Sequence, residues 1–559
     1  MRALLVQSPA TSPWVPRRQW EPPSVAMATI AGQIDNHDVK VADMVIWRKQ
    51  AVPRFLQVLR EFKPDVVGFT SMTFQYDTTL GFAYLTKQFD SRIRTVLGGY
   101  HATLFSEKIA AGPDANMWDF LVRGEGDFAF GELLNSVEAE GKGMEDILGL
   151  SYKEQGKEEA HFRHNPARPL EDLDKIRIPA RDKRLAKGFH MYFRRADVIE
   201  TSRGCLHLCN FCSIREMYGR SFRLFPLDRV LADIEDAYSR GARHIFCTDD
   251  NITLDMERFE QLCDGVIGLK LKNLIFTTQA SPIGFAHRPD VARKMAQAGF
   301  VSIFLGIENV SVKNLKTMHK PNTLDTIRRG VAALQKENII VIAGIINGLP
   351  DDDPESIREN YEFIKEMGIA SVMDQIMTPY PKTPLREEML ADDRIANLSD
   401  FRWYDGYFSN VRTHQLTPAE LNFVRWKIRR EVIGMWRATK ADWKFFKGYT
   451  YVWEFGFRHI VWLNERLLEL IFGIEGRYKL QMRQFLQLND FGIEVPGRQR
   501  AEAYHPVYGN HEDPYRDTRW SVLKRSLPFS WRKRLTNGAM DEVNAGLQVE
   551  TTGGPQPKE

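Results

Sequence analysis

Two blocks of short apolar runs, each alternating with amphipathic stretches, restrict this chain to layered α/β folds. In the first block, residues 1–150, the runs are Ala3–Val6, Val39–Ala42, Val66–Thr70, Thr95–Leu97 and Phe120–Val122. Helical patterns fill the gaps, as at Pro53–Phe62 and Thr78–Phe89. Strands this short and this uniformly apolar belong in a parallel sheet covered on both faces. Glycines follow two of them, Gly98-Gly99 and then Gly124 with Gly126, at the carboxyl edge where such sheets take ligands. The second block, residues 196–390, holds Asp197–Thr201, His244–Thr248, Leu274–Thr278, Val301–Leu305, Ile339–Ile346 and Val372–Met377. Six β/α units predict a partial β/α barrel, short of the complete eight-unit form. Its clearest helix is Pro226–Arg240, with Leu227, Val230, Leu231, Ile234 and Tyr238 on one face.

Between the blocks, residues 151–195 show little periodicity and read as a linker. Residues 391–495 read as a mainly helical C-terminal domain, with a capping box at Thr417-Pro-Ala-Glu420. From 496 to 559 Pro, Gly and charge increase, which predicts an irregular region and a disordered tail.

Composition removes several function classes. Lys plus Arg number 76 against 73 Asp plus Glu, a formal +3, so nothing argues for nucleic acid. The late basic clusters Trp426-Lys-Ile-Arg-Arg430 and Trp531-Arg-Lys-Arg534 read as solvated faces. No membrane span is expected, because Tyr451–Ile474 is broken by Glu454, Arg458, His459, Glu465 and Arg466. Ala3–Val6 is too short for a signal-peptide core, so the expected location is cytoplasmic. Five cysteines in 559 residues make no disulfide scaffold, and Cys247 and Cys263 stand alone as expected core residues.

The other three cysteines fall in Ser202-Arg-Gly-Cys-Leu-His-Leu-Cys-Asn-Phe-Cys212. Thiolates Cys205, Cys209 and Cys212, spaced C-x3-C-x2-C after a strand, can hold three irons of a 4Fe–4S cubane and leave the fourth open. Structural zinc is the alternative, but it needs four closed ligands, and His207 sits inside the run with poor geometry.

This spacing, with Phe211 just before the third cysteine, resembles the radical S-adenosylmethionine superfamily. The resemblance implies S-adenosylmethionine on the open iron, cleaved to a 5′-deoxyadenosyl radical. It also implies cosubstrate contacts at successive strand ends. Here Thr248-Asp-Asp-Asn251 replaces the family's Gly-Gly-Glu motif, leaving open whether Asp249 or Asp250 takes the methionine ammonium, with Asn251 beside them. Gln279 of Thr278-Gln-Ala-Ser281 is placed to reach the same ligand. Gly306-Ile-Glu-Asn309 resembles the ribose motif, with Glu308 accepting from ribose hydroxyls or the ammonium. Ala343–Pro350, through Gly348, resembles the adenine-contact strand, and Thr378-Pro-Tyr-Pro381 a closing turn.

A flavodoxin-like (Rossmann-like) block upstream of such a barrel resembles the cobalamin-binding domain of the large cobalamin-dependent group. The matching segments are Val66-Val-Gly-Phe-Thr-Ser-Met-Thr73, Gly98-Gly-Tyr-His101 and Arg123-Gly-Glu-Gly126, which make Thr70, Ser71, Gly98, Gly99 and His101 the expected corrin contacts. The cobalt-ligating Asp-x-His-x-x-Gly motif is missing: Gln7-Ser-Pro-Ala-Thr-Ser-Pro13 stands in its place, and Asp35-Asn-His37 comes too late.

The family implies a methyltransferase acting on an unactivated carbon. An alternative with the same two domains is oxidative cyclisation of a tetrapyrrole, as in the anaerobic cyclase of bacteriochlorophyll biosynthesis. A non-catalytic cobalamin sensor would leave the cysteines and Glu308 without a role. The implied cofactors are a 4Fe–4S cluster, S-adenosylmethionine and cobalamin. The implied partners are an electron donor such as flavodoxin or ferredoxin and a small-molecule substrate. Trp403, Tyr404, Tyr407, Phe408, Trp436 and Trp443 could cap a lipid, isoprenoid or tetrapyrrole, although most read as core.

Overall fold

The computed structural model describes residues 1–9, 20–154, 161–369, 371–433 and 449–486, together with 491, 493, 495–496, 504–505 and 509–510. Its first sheet has the strand order Asp38–Asp43, Arg2–Gln7, Val66–Thr70, Arg94–Gly98, Phe120–Val122, Leu150–Lys153 and Phe162–His164. The first five strands run parallel. Both faces are buried, with Leu4 and Val6 in one core and Ala3 and Leu5 in the other, as period two requires. The strand order reverses between Arg2–Gln7 and Val66–Thr70, which opens a crevice at the carboxyl ends.

The last two strands are antiparallel and lie in the segment read as a linker. The sheet therefore continues past 150, to His164. Three- and four-residue strands whose outer residues, such as Arg163 and His164, face water carry too little apolar signal to be seen in sequence.

The second sheet is the expected open barrel of six parallel strands: Arg194–Ile199, His244–Cys247, Ile275–Ala280, Phe300–Glu308, Ile340–Asn347 and Ser371–Ile376. Ile199, Ile245, Phe276, Ile303, Val341 and Val372 lie in one continuous core. His190–Met191 and Trp20–Glu21 add antiparallel strands beside the first barrel strand, so a segment from the N-terminal half closes onto the barrel sheet. The first strand ends at Ile199, before the expected Thr201, whose N–H donates to the Asp249 carboxylate at 2.8 Å.

The helix Leu227–Ser239 buries Val230, Ile234 and Ala237 at helical spacing. Pro418–Val432 starts on the predicted capping box: Thr417 N–H donates to Glu420 Oε2 at 2.9 Å. The long helix Tyr449–Leu486 breaks at Gly473. Tyr404, Tyr407 and Phe408 are buried and Trp403 packs against them, which places them in the core; Trp436 and Trp443 lie outside the described residues. Among the described residues no helix is long and apolar enough to cross a membrane.

Candidate functional site

The cluster loop leaves the first barrel strand through Gly204, whose φ of +89° suits glycine and whose face lies against the Ser221 carbonyl. Cys209 is buried, and Cys205 and Cys212 are half-buried. The loop turns tightly between them, with Cys212 N–H donating to the Cys209 carbonyl at 3.2 Å. Burial pushes the Cys209 thiol up to about 11 and Cys212 up to about 12, so metal binding there must release protons. Among the described residues, no three His, Cys, Asp or Glu side chains surround a point that a lone ion could fill. A lone zinc would draw its thiolates to about 2.3 Å from one centre, whereas a cubane spreads them over separate irons. The donor set fits the cubane.

The barrel edge around this loop is dense with polar contacts. Asp249 is consumed by it: Thr201 Oγ1 and Ser202 Oγ each donate to its Oδ2 at 2.5 Å. Asp250 is more open and accepts from Gly204 N–H at 2.9 Å. Burial lifts both carboxyls to about 6. Asn251 Oδ1 accepts from Ser281 N–H at 3.0 Å, and its side chain also reaches Cys205. Gln279 Nε2 donates to the Asp249 carbonyl at 2.8 Å. Phe211 packs on the barrel core.

Glu308 adopts φ +69° where the register slips against the next strand, a strained position for a residue other than glycine. Its carboxylate pairs with Lys320 at 2.7 Å. Burial opposes the Lys320 charge, yet Glu308 together with Cys209 and Cys212 more than offsets it and holds the ammonium above its ordinary value. A Cβ on Gly306 would meet Glu308 Oε1 at 2.6 Å, so that glycine makes room for the pair. Gly348 serves a turn: its N–H donates to Asp352 Oδ2 at 2.8 Å, and it packs on Leu421.

Across from the loop lies a crevice of about 270 Å³ at the switch point of the first sheet. Its sheet-side wall includes Gln7, Gly68, Thr70, Met72, Gly98 and Gly99, and its barrel-side wall includes Glu200, Arg203, Met217 and Tyr218. Gly124 has no atom within 4 Å of where a Cβ would sit, and Gly98 nothing nearer than 3.8 Å. This side-chain-free cradle fits a bulky nucleotide tail. Gly99 differs, because its Cβ would meet Thr70 Oγ1 at 2.6 Å. Ser71 is buried and acts through its backbone, donating from N–H to the Gly98 carbonyl and accepting from His101 N–H.

His101 is a correction. Its ring turns away from the crevice and stacks on Tyr76 at 4.1 Å, with Phe105 and Phe401 beside it. His101 and Phe105 share the inner face of helix Gly99–Ala110, a spacing the sequence already contained. Tyr100 lines the crevice instead. Burial, then the charges of Tyr218, Asp250 and Cys212, push its hydroxyl well above the ordinary value, and Tyr218 lines the crevice with it.

Sequence reasoning also missed the joint between the halves. Buried Arg203, two residues before Cys205, donates to Glu125 at 2.9 Å, Asp127 at 2.7 Å and Glu200 at 3.0 Å. Arg223 grips Glu125 through both nitrogens, at 2.8 and 3.0 Å. Burial alone would raise the Glu125 carboxyl, but these guanidinium partners hold it below its usual range. Lys320 was likewise missed, since it follows a short helix and no periodicity marks it.

The fold and site define a two-part α/β protein in which a loop of three cysteines at the barrel edge lies beside a glycine-lined crevice of the first sheet. Residues 199–364 match the radical SAM superfamily and residues 18–134 match the B12 binding domain. An uncharacterised methyltransferase of Pyrococcus horikoshii is 29% identical over 385 residues, 67% of this chain and 80% of that protein. The anaerobic magnesium-protoporphyrin IX monomethyl ester cyclase of Rubrivivax gelatinosus is 26% identical over 353 residues, and the match spans 61% of each chain. Among solved structures, the radical S-adenosylmethionine methyltransferase TsrM of Kitasatospora setae, with cobalamin and a 4Fe–4S cluster bound, shares the fold. Its TM-score is 0.58 at 18% identity, covering 70% of this chain and 78% of that one. The chain belongs to the cobalamin-binding radical S-adenosylmethionine enzymes, and its cofactors are a 4Fe–4S cluster, S-adenosylmethionine and cobalamin.

Proposed function

We propose that the chain is a cobalamin-dependent radical methyltransferase that adds a methyl group to an unactivated carbon of a large apolar substrate. The observation that carries this reading is the shared wall: Tyr100, on the side of the first sheet, lines the same crevice as Arg203, two residues before Cys205, and Met217 and Tyr218, just after Cys212. When bound, the cluster with S-adenosylmethionine supplies a carbon radical, and the corrin supplies a methyl group. The chain's own work is positional. Cys205, Cys209 and Cys212 hold the cluster. Asp250, less committed than Asp249, accepts from the methionine ammonium, while Glu308 and Lys320 offer opposite charges to the rest of that ligand. Gln279 and Asn251 fix the carboxylate-bearing turn from behind.

Tyr380 of the closing turn is half-buried, and its hydroxyl donates to the Tyr404 carbonyl at 3.2 Å, which ties that turn to the segment after the barrel. The segment carrying Asp405 closes over the sixth strand, where Ile376 N–H donates to the Gly406 carbonyl at 2.7 Å. A one-electron carrier such as flavodoxin or ferredoxin is the expected reductant.

Anaerobic turnover with methyl-deuterated S-adenosylmethionine and tetrapyrrole or polyprenoid candidates tests the proposal. It predicts 5′-deoxyadenosine together with a labelled methyl on the product. Oxidation of the substrate without label would favour the cyclase reading instead.

A further inference from the structure

We propose that Met72 lies beneath the lower face of the corrin, as an apolar cap that keeps water off the cobalt without offering it a nitrogen. The inference rests on the reading of the crevice as the cobalamin site. Met72 follows strand Val66–Thr70 at the switch point and lines the crevice. Its backbone is fixed from both sides: its N–H donates to Gln75 Oε1 at 3.0 Å, and its carbonyl accepts from Ser71 Oγ at 2.8 Å. With those groups satisfied, the turn presents the thioether side chain to the cavity. Met72 is 38% exposed, while Ser71 and Thr73 on either side are 1% and 3% exposed. Covering a long apolar side chain with an apolar surface recovers the free energy of its exposure to water, and the face of a macrocycle is such a surface.

The chemistry of cobalamin decides which face meets it. The nucleotide arm hangs from the lower face of the ring. An arm laid along the glycines that end Val66–Thr70 and Arg94–Gly98 turns the lower face toward the first sheet. The upper face then looks to Arg203, Met217 and Tyr218. On the sheet side, Gly98, Gly99 and Gly124 present no side chain, buried Gln75 is spent on the Met72 N–H, and Tyr100 is half-buried. Among the described residues of that wall, Met72 is the most exposed long side chain; Gln7 is half-buried and donates its amide to the Ser8 carbonyl at 3.4 Å. A thioether adapts its shape to a ring it touches, and it is a weak donor.

The test uses full-length protein with reconstituted cluster and hydroxocobalamin, reduced to cob(II)alamin and examined by electron paramagnetic resonance. Wild type should lack nitrogen superhyperfine splitting. Met72→His places an imidazole under the metal, and the splitting should appear. Met72→Ala should admit water and shift the spectrum without nitrogen splitting. Should Met72→His fail to hold corrin, Met72→Ala decides alone. Corrin-loaded variants with the wild-type spectrum overturn the placement, as does nitrogen splitting in wild type. A wild-type protein that takes up no cobalamin overturns the cofactor reading as well.

Discussion

The two sheets spend glycine in opposite ways at their carboxyl edges. In the first sheet, Gly124 faces open space and Gly98 meets nothing nearer than 3.8 Å, so the missing side chains leave room for a guest. In the barrel, Gly204 and Gly306 face the protein itself, one against Ser221 and the other against the Glu308–Lys320 pair. The first edge is a mould defined by what is absent. The second is a polar lattice, already hydrogen-bonded, that leaves a few groups open. A large, mostly apolar ring tolerates the first kind of wall, whereas a small zwitterion on an iron needs the second.

The largest expected effect comes from breaking the barrel side at its metal. Cys209→Ala should remove the cluster absorbance and 5′-deoxyadenosine formation completely, yet leave cobalamin uptake intact. Gly98→Val should do the reverse. Its φ of −128° accepts a side chain, so the fold should survive while bulk in the crevice abolishes corrin retention, read by visible absorbance after desalting. Retained corrin in that variant would show that the mould is elsewhere. Gly99→Val is a poorer probe, because it would also strike Thr70.

Arg203→Met tests the joint between the two edges. It takes the guanidinium from Asp127 and Glu200 and leaves Glu125 to Arg223 alone, and should cost about 3–5 kcal/mol in denaturant unfolding. An unchanged midpoint would mean that the halves are held by other contacts. Glu308→Gln should keep the cluster but weaken S-adenosylmethionine binding by about 1.5–3 kcal/mol, measured by anaerobic calorimetry. Equal affinity would place the cosubstrate away from the fourth strand.

The smallest effect is on pH. Glu125 is held below its ordinary 4.5, so its contribution to stability is complete above that value and is lost as pH falls through its lowered folded-state value. Glu125→Gln should flatten the acid limb of the thermal-stability curve. A wild-type limb left unchanged would exclude it.

How much was legible follows from how local each signal is. The six barrel strands and the Thr417 capping box are carried by adjacent residues; the capping box appears where the sequence put it, and the strands appear in the expected order with ends shifted by a few residues. The choice between Asp249 and Asp250 was not legible, because Thr201 and Ser202, which consume Asp249, lie 48 and 47 residues away. His101 was misread because a histidine beside paired glycines suggests a ligand, although its helical phase turns it inward onto Tyr76. Arg203 and Lys320 act over long separations in tertiary structure, where no sequence period reaches.

The most direct test of the account is metal stoichiometry on one preparation: iron, sulfide and cobalt per chain after anaerobic reconstitution with cluster components and hydroxocobalamin. The account predicts about four irons, about four sulfides and a single cobalt per chain, with iron lost in Cys209→Ala and cobalt lost in Gly98→Val. Iron that survives Cys209→Ala, or a wild-type chain that takes up iron and no cobalt, would contradict it.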